Sequence, residues 1–458
     1  MKPSSSGGAD CPLPMDFVQA CESAWGLELS GIRLQALGQP SETCIRLHPK
    51  RALPTTDLEG VSWHPYGRYL NQRPVFTLDP AFHAGAYYVQ EASSMVLWSL
   101  LQHLPKPEFA IDLAAAPGGK STLLLDWMNE EGWLLANDPI PNRALALQDN
   151  LKKWGYTNVL QSNANPEQLA LQLPGQADLV LLDAPCSGEG MFRKDAFARQ
   201  QWTLNLRESC RDLQHQILPY AVELLKPGGH LIYSTCTFHE AENQGHAALL
   251  RGLGMQPVSM QLPEEYGFEA LAGNLGWAAY PGQVRGEGFY VAVWRKEGVA
   301  DRKLERAAPK GSSAGSLEDF LPLDRDWNTI AYKGQYFGLP KPLPACWSSI
   351  PRLQLLGVCL GKIDKGRVVP DPHLPFIEGC VAPRLELNAE EALRYLKGLA
   401  PEFRAMNAPW IVAEHRGLGL GWLKTAGQRF NNAYPHPWRI RMDLPVPQSE
   451  PRLNLIWK

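Results

Sequence analysis

The chain has no apolar run of the about 18 residues that a membrane span needs. Its opening, Met1–Asp10, is polar and rich in Ser and Gly with no apolar stretch behind it. A secretory leader is therefore not expected, and the cytoplasm is the default compartment. Nine cysteines stand at 11, 21, 44, 186, 210, 236, 346, 359 and 380, yet none forms a Cys-x-x-Cys pair or zinc-like spacing, which argues against a metal centre. In a reducing compartment most of them are expected to be small buried hydrophobes. Overall positive charge is missing too, since the formal net charge is −3. The charge is uneven, however: from Arg416 to Lys458 there are five Arg and two Lys against one Asp and one Glu, a net of +5. That end is suited to a polyanion, although an ordinary solvated basic face would carry the same charge. The sequence shows no internal repeats and no true low-complexity tract.

What is present is a long globular chain. Its 458 residues suggest about three domains, and a 45% hydrophobic, 20% charged composition supplies ample core. The pattern divides it into 1–105, 106–297, a linker at 298–320 and a last region at 321–458. The first part reads as a small mixed unit, with a helix near Met15–Trp25, a strand at Thr43–Leu47 and an apolar helix running toward Leu104. From Glu108 to Lys296, short apolar runs alternate with helical stretches. The runs are Phe109–Leu113, Trp133–Asn137, Asn158–Gln161, Asp178–Asp183 and His230–Thr235. Between them lie Ser121–Met128, Pro141–Trp154 and Arg207–Leu225. Such alternation predicts a parallel sheet with helices on both faces, closed by Gly288–Trp294. Beyond the charged, Ser/Gly-rich 298–320 come strand-like pieces (Thr329–Tyr332, Val368–Val369, Trp410–Ala413) and a helix, Ala389–Leu399.

Four segments carry chemistry. In Ile111-Asp-Leu-Ala-Ala-Ala-Pro-Gly-Gly-Lys-Ser-Thr122 a strand ends, glycines turn the chain and a helix begins, offering free amides to a ligand. A P-loop would need Gly where Ala114 stands, and the spacing of a dinucleotide fingerprint is absent. What remains is the nucleoside loop of S-adenosylmethionine enzymes. Asp138 closes the next strand, where a carboxylate can accept both hydroxyls of a ribose. The third segment, Asp178-Leu-Val-Leu-Leu-Asp-Ala-Pro-Cys-Ser-Gly-Glu-Gly190, delivers Asp183 and Cys186 to the carboxyl edge of the sheet. The fourth, Leu225-Lys-Pro-Gly-Gly-His-Leu-Ile-Tyr-Ser-Thr-Cys-Thr237, delivers Cys236 to the same edge. Either cysteine alone would be an ordinary buried residue. Two at neighbouring strand ends above a ligand loop suit nucleophilic work, which needs an accessible thiolate.

Together these segments resemble the Sun/Nop family of RNA (cytosine-5) methyltransferases, and within it the bacterial ribosomal, RsmF-type branch. The resemblance covers about 108–296, with Tyr87-Tyr-Val-Gln-Glu-Ala-Ser-Ser94 and Arg285-Gly-Glu-Gly288 also familial. It implies an α/β, doubly wound, Rossmann-like methyltransferase domain between a small N-terminal α+β domain and a C-terminal α+β PUA-like region. It also implies Cys236 as nucleophile, Cys186 assisting release and Asp183 beside the reacting base. Ala114, Ala115, Ala116, Pro117, Gly118, Gly119, Lys120, Asp138, Arg143 and Asp183 would hold or border S-adenosyl-L-methionine. The family places an acid after its third strand, near the adenine. This chain has Gln161-Ser-Asn-Ala-Asn165, so Asn163 or Asn165 substitutes, and Asn165 is taken into the cofactor set. Gly417-Leu-Gly-Leu-Gly-Trp-Leu-Lys424 and Asn431-Asn-Ala-Tyr-Pro435 resemble the PUA-like end, with Arg416, Lys424 and Arg429 as phosphate contacts.

The chemistry fits the residue types. Carbon 5 of cytosine is a poor nucleophile until a thiolate adds at carbon 6. The base must also leave its stack. The expected partner is RNA, ribosomal or transfer, with no membrane, no metal and no obligate protein partner, and the expected state is a monomer. Two rival readings remain: a methyltransferase acting on protein or a small molecule, which has no need of two strand-end cysteines, and a non-catalytic RNA-binding assembly factor, which would tolerate loss of Cys236 or Lys120.

Overall fold

The computed structural model describes residues 11–51, 58–299, 304–307, 309 and 311–444. Met1–Asp10, positions 300–303, 308 and 310 of the expected linker, and residues 445–458 of the basic tail lie outside the described residues. No helix among the described residues is long and apolar enough to cross a membrane.

Five strands form the parallel heart of the molecule: Phe109–Asp112, Trp133–Asn137, Val159–Ser162, Ala177–Asp183 and Leu225–Thr235. Phe109–Asp112 lies in the middle. The chain adds Trp133–Asn137 and Val159–Ser162 to one side, then returns to add Ala177–Asp183 and Leu225–Thr235 to the other. This reversal creates the crevice where doubly wound folds bind ligands. Near-continuous apolar runs suit strands covered on both faces, and Phe109, Ile111, Leu134, Leu135, Val180 and Leu182 are wholly buried. Phe289–Lys296 pairs antiparallel with Leu225–Thr235 but does not close the sheet, since Trp277–Ala279 and then Glu269–Ala270 pair beyond it and Met255–Pro257 pairs its far end.

The opposite edge brings a surprise. Leu353–Leu356, from the region after the expected linker, pairs antiparallel with Val159–Ser162 and extends the same sheet. The expected linker itself contains a short strand, Arg306–Ala307, and a 3₁₀ helix, Gly315–Phe320, with Ala314 and Leu317 buried. A four-stranded sheet built from Asn328–Tyr332, Gln335–Leu339, Val358–Asp364 and Arg367–Pro370 follows. Arg384–Glu386, Trp410–His415, Leu418–Thr425 and Phe430–Asn432 then form the last sheet, with helix Ala389–Leu396 packed on it.

The N-terminal unit comprises helices Met15–Trp25 and Leu27–Ala36 and a three-stranded sheet of Thr43–Leu47, Gly67–Leu70 and Tyr87–Val89. It covers helix Gly119–Met128, and Ser121 through Met128 are all buried, so the polar groups of Ser121, Thr122 and Asp126 need partners inside the protein. Arg46 crosses this interface with no exposed surface. It pairs with Asp126, whose other oxygen accepts from Trp154 Nε1 at 2.8 Å, and it also reaches Gln90 and Thr122. Burying such a pair is favourable only because every polar atom finds a partner.

Arg51 ties all three regions. Its guanidinium donates to the carbonyls of Ala84 (2.5 Å), Gly85 (2.7 Å), Lys153 (2.7 Å), Trp154 (3.3 Å) and Phe376 (2.8 Å). Lys152 adds a bond to Asp371 at 2.9 Å. Removing the guanidinium strands several carbonyls, each costing about 1–3 kcal/mol where water cannot replace the donor. Arg51→Ala is therefore expected to destabilise the protein by about 3–5 kcal/mol in urea unfolding. Arg51→Lys should recover less than half of that loss, since an ammonium cannot reproduce the planar fork. A midpoint unchanged in Arg51→Ala would contradict this role.

Candidate active site

The loop after Phe109–Asp112 is pinned at both flanks. Leu113 N–H donates to Leu181 O at 2.9 Å, and Ala115 N–H to Asn137 O at 2.7 Å. Gly118 takes φ +115°, a conformation that side chains resist, and helix Gly119–Met128 starts at once. Pro117 is exposed and Ala114 half-buried, while Ala115 and Ala116 are buried. Asp112, not singled out from the sequence, ends the strand beneath this loop. One of its oxygens accepts from Ser121 Oγ at 2.6 Å, and the other has no partner among the described residues. Burial raises its carboxyl to about 7. Asp112 thus backs the glycine loop from beneath as a buried acceptor with one oxygen unused.

Asp138 is fully buried at the end of Trp133–Asn137. Its oxygens accept from Ile140 N–H (2.9 Å) and Ala116 N–H (3.3 Å), and Arg143 Nη2 lies at 3.5 Å. It thus anchors the loop, and a carboxylate's remaining lone pairs are what a ribose would use. Arg143 also donates to Ala116 O at 2.8 Å. The two asparagines part company. Asn163 is buried and donates to Asp138 O at 2.7 Å, whereas Asn165 is exposed at the cap of helix Pro166–Gln172.

At the next two strand ends the register sets Asp183 opposite Ser234. Asp183 accepts from Lys120 Nζ at 2.7 Å and from Ser234 Oγ at 2.8 Å. Burial opposes the Lys120 charge, but Asp183, Cys236 and Asp112 outweigh it and hold the ammonium above its ordinary value. The two sulfurs meet: Cys186 Sγ lies 3.3 Å from Cys236 Sγ, both thiols are free, and Cys236 N–H points at Cys186 Sγ from 3.4 Å. The hydrogen bond to Cys236, then burial, pushes the Cys186 thiol well above its usual range. Gly190 allows the two loops to touch. Its N–H donates to Cys236 O at 2.8 Å, and a Cβ there would lie 2.4 Å from Gly288 O.

A buried polar network that the sequence did not reveal holds the Cys186 loop from behind. Glu242 accepts from Ser187 N–H (3.0 Å) and from Gln214 (3.0 Å), which also donates to Pro185 O at 2.9 Å. Glu189 accepts from Ser187 Oγ (2.8 Å) and Trp202 Nε1 (2.7 Å). Glu242 appears in the sequence only as one acid of a charged loop, His239-Glu-Ala-Glu-Asn243, with no spacing to mark it.

The three candidate RNA contacts do not form one patch. Lys424 and Arg429 are exposed at one end of the Trp410–His415/Leu418–Thr425 hairpin, with Lys424 Nζ 5.3 Å from the Trp410 ring centre. Arg416 is exposed at the other end, in the turn, where its N–H donates to Glu386 at 2.7 Å.

A doubly wound sheet with a glycine loop and an acid on the next strand is a nucleoside-binding arrangement, and the family match over 100–295 makes this domain an S-adenosylmethionine-dependent methyltransferase of the Rossmann-like class. Three family models match along the chain: the N-terminal domain of 16S rRNA methyltransferase RsmF over 13–92, the 16S rRNA methyltransferase RsmB/F over 100–295, and the methyltransferase RsmF PUA domain over 382–440. Among curated proteins the chain is similar to the ribosomal RNA small subunit methyltransferase F of Klebsiella pneumoniae (strain 342), 32% identical with 77% of this chain and 78% of that protein covered. It is 36% identical to that of Aliivibrio fischeri (strain MJ11), covering 83% and 85%. A solved methyltransferase homolog from Pyrococcus horikoshii superposes with a TM-score of 0.53 and 29% identity over 61% of this chain and 94% of that one. The chain belongs to the family of ribosomal RNA small subunit methyltransferases F.

Burial, and then Glu189, raises Glu242 from an ordinary 4.5 to about 7. An acid raised on folding is protonated in the native state before it is in the unfolded one. Its stabilising share is thus complete at low pH and declines as pH climbs from about 4.5 to about 7. Urea midpoints measured between pH 5 and 8 are expected to fall with rising pH, and Glu242→Gln should flatten that fall. The Asp112 contribution should remain in the variant. An identical slope in wild type and variant would contradict the assignment.

Proposed function

We propose that the chain methylates carbon 5 of a cytidine in small-subunit ribosomal RNA through a covalent adduct with Cys236. The carrying observation is the pair of sulfurs 3.3 Å apart, one strand end from the Lys120–Asp183 ion pair. S-adenosylmethionine, held by the loop from Ala114 to Lys120 with Asp138, Arg143 and Asn165 around it, supplies an electrophilic methyl group. Cys236, as thiolate, adds to carbon 6 of the extruded base, making carbon 5 an enamine carbon that takes the methyl. Asp183 stabilises the proton at ring N3 during addition. Loss of the carbon 5 proton to a base then expels the Cys236 thiolate, with Cys186 assisting release. Residues 1–105 and 321–458 flank the 106–297 domain as RNA-holding parts, and acting on ribosomal RNA the enzyme works in the cytoplasm.

The cysteines should fail differently. Cys236→Ala should yield no RNA adduct and no product, a loss of at least about 10³-fold, since the covalent route is closed. Cys186→Ala should still add and transfer methyl but accumulate protein covalently bound to RNA, visible as a shifted band on a denaturing gel. The reverse pattern would exchange their roles, and two active variants without a band would end the covalent reading. Lys424→Ala combined with Arg429→Ala should raise the KM for RNA several-fold with kcat unchanged, and should reduce the slope of log K against log salt concentration by about 0.7–0.9 per lost phosphate contact. Unchanged binding would remove that hairpin end from the RNA interface.

A further inference from the structure

A cavity of about 340 Å³ lies apart from the paired sulfurs, at the meeting of three parts of the chain. The N-terminal unit contributes Arg73, Phe76, Phe82 and Tyr88, and helix Pro141–Trp154 contributes Asn150 and Lys153. Exposed Pro117 brings in the outer side of the cofactor loop. The last domain touches two of the lining residues: the Trp438 ring lies 4.6 Å from Lys153 Nζ, and the Thr77 hydroxyl sits 3.2 Å from Met442 Sδ.

Its lining combines flat rings with unneutralised cations. Phe76 and Phe82 stand with centroids 6.2 Å apart, and the Arg73 guanidinium lies 5.5 Å over Phe76. Among the described residues neither Arg73 nor Lys153 has a carboxylate within ion-pair distance, while Arg73 is exposed. Burial lowers the Lys153 ammonium to about 8, with Asp149 only partly compensating. The larger cavity nearby, about 670 Å³, differs in kind: its Lys50 and Arg325 pair with Glu130, and its Arg384 with Glu414. Rings, a planar cation and an ammonium with no carboxylate in ion-pair reach together are what an unstacked nucleotide requires, base on the flat surfaces and phosphate on the charge.

We infer that this slot holds one unpaired nucleotide of the substrate RNA, its base against Arg73, Phe76 and Phe82 and its phosphate at Lys153. The inference rests on the RNA reading above and deepens it. The slot would fix a single-stranded segment on the far side of the cofactor loop from the reacting cytidine, so the enzyme would grip the RNA at two separate unstacked positions.

The test uses the full chain, a fluorescent unstructured oligoribonucleotide, and an RNA duplex of the same length, read by anisotropy. Arg73→Ala and Phe76→Ala are each expected to weaken single-strand binding about 5- to 50-fold, with much smaller effects on the duplex. S-adenosylmethionine affinity by calorimetry should stay at the wild-type value, which also shows that the variants are folded. Single-strand affinity within twofold of wild type in both variants would overturn the slot. So would equal losses for strand and duplex, which mark a phosphate surface alone, or cofactor affinity falling in step. Displacement of the strand by low concentrations of free AMP would make this a mononucleotide site and overturn the RNA assignment. A wild-type protein that binds neither RNA would fail the RNA reading itself, a result distinct from these.

Discussion

Parallel pairing of Ala177–Asp183 with Leu225–Thr235 is the constraint from which the site follows. A parallel pair ends on one edge, so whatever follows each strand arrives side by side. The register puts Asp183 against Ser234, and the thiols come three and two residues later. The sheet thereby fixes the two loops at a sulfur–sulfur distance of 3.3 Å with both thiols free. Lys120 reaches the same point from the helix following the middle strand, because the strand order reverses there.

Around this edge the flanking units act as more than attachments. The N-terminal unit covers the outer face of the cofactor-loop helix and satisfies Asp126 through a buried Arg46. Arg51 then joins carbonyls of the N-terminal unit, the central domain and the segment at Phe376. Arginine suits this joint because its fork presents several donors at fixed angles and cannot lose its charge. Burial at these seams explains how loops carrying little regular structure hold the walls of two cavities.

The sequence made the central domain legible because its strands are short apolar runs and its loops carry glycine and proline at fixed places. Phe109, Trp133, Pro141, Trp154 and Asp183 all bound elements where the pattern put them. Helix Leu27–Ala36 escaped notice because its apolar positions lack a clear stripe. Leu353–Leu356 escaped because a four-residue edge strand has too little pattern, and nothing local says that its partner lies nearly two hundred residues earlier. In the site, residues tied to glycine and proline motifs could be read, whereas Asp112, Gln214, Glu189 and Glu242 act through burial and long-range contacts. The basic residues near the end could be named but not located, since Arg416 and Lys424 sit at opposite ends of one hairpin.

The strand Leu353–Leu356 also sets a schedule for synthesis. Val159–Ser162 is made long before its outer partner, with about 190 residues intervening. At about 5–20 residues per second, its free backbone groups wait roughly 10–40 s for a partner. During that interval the nascent sheet has an open edge of the kind that pairs with other chains. Production of this protein thus depends on keeping that edge apart from its neighbours until the ribosome has delivered the strand that seals it.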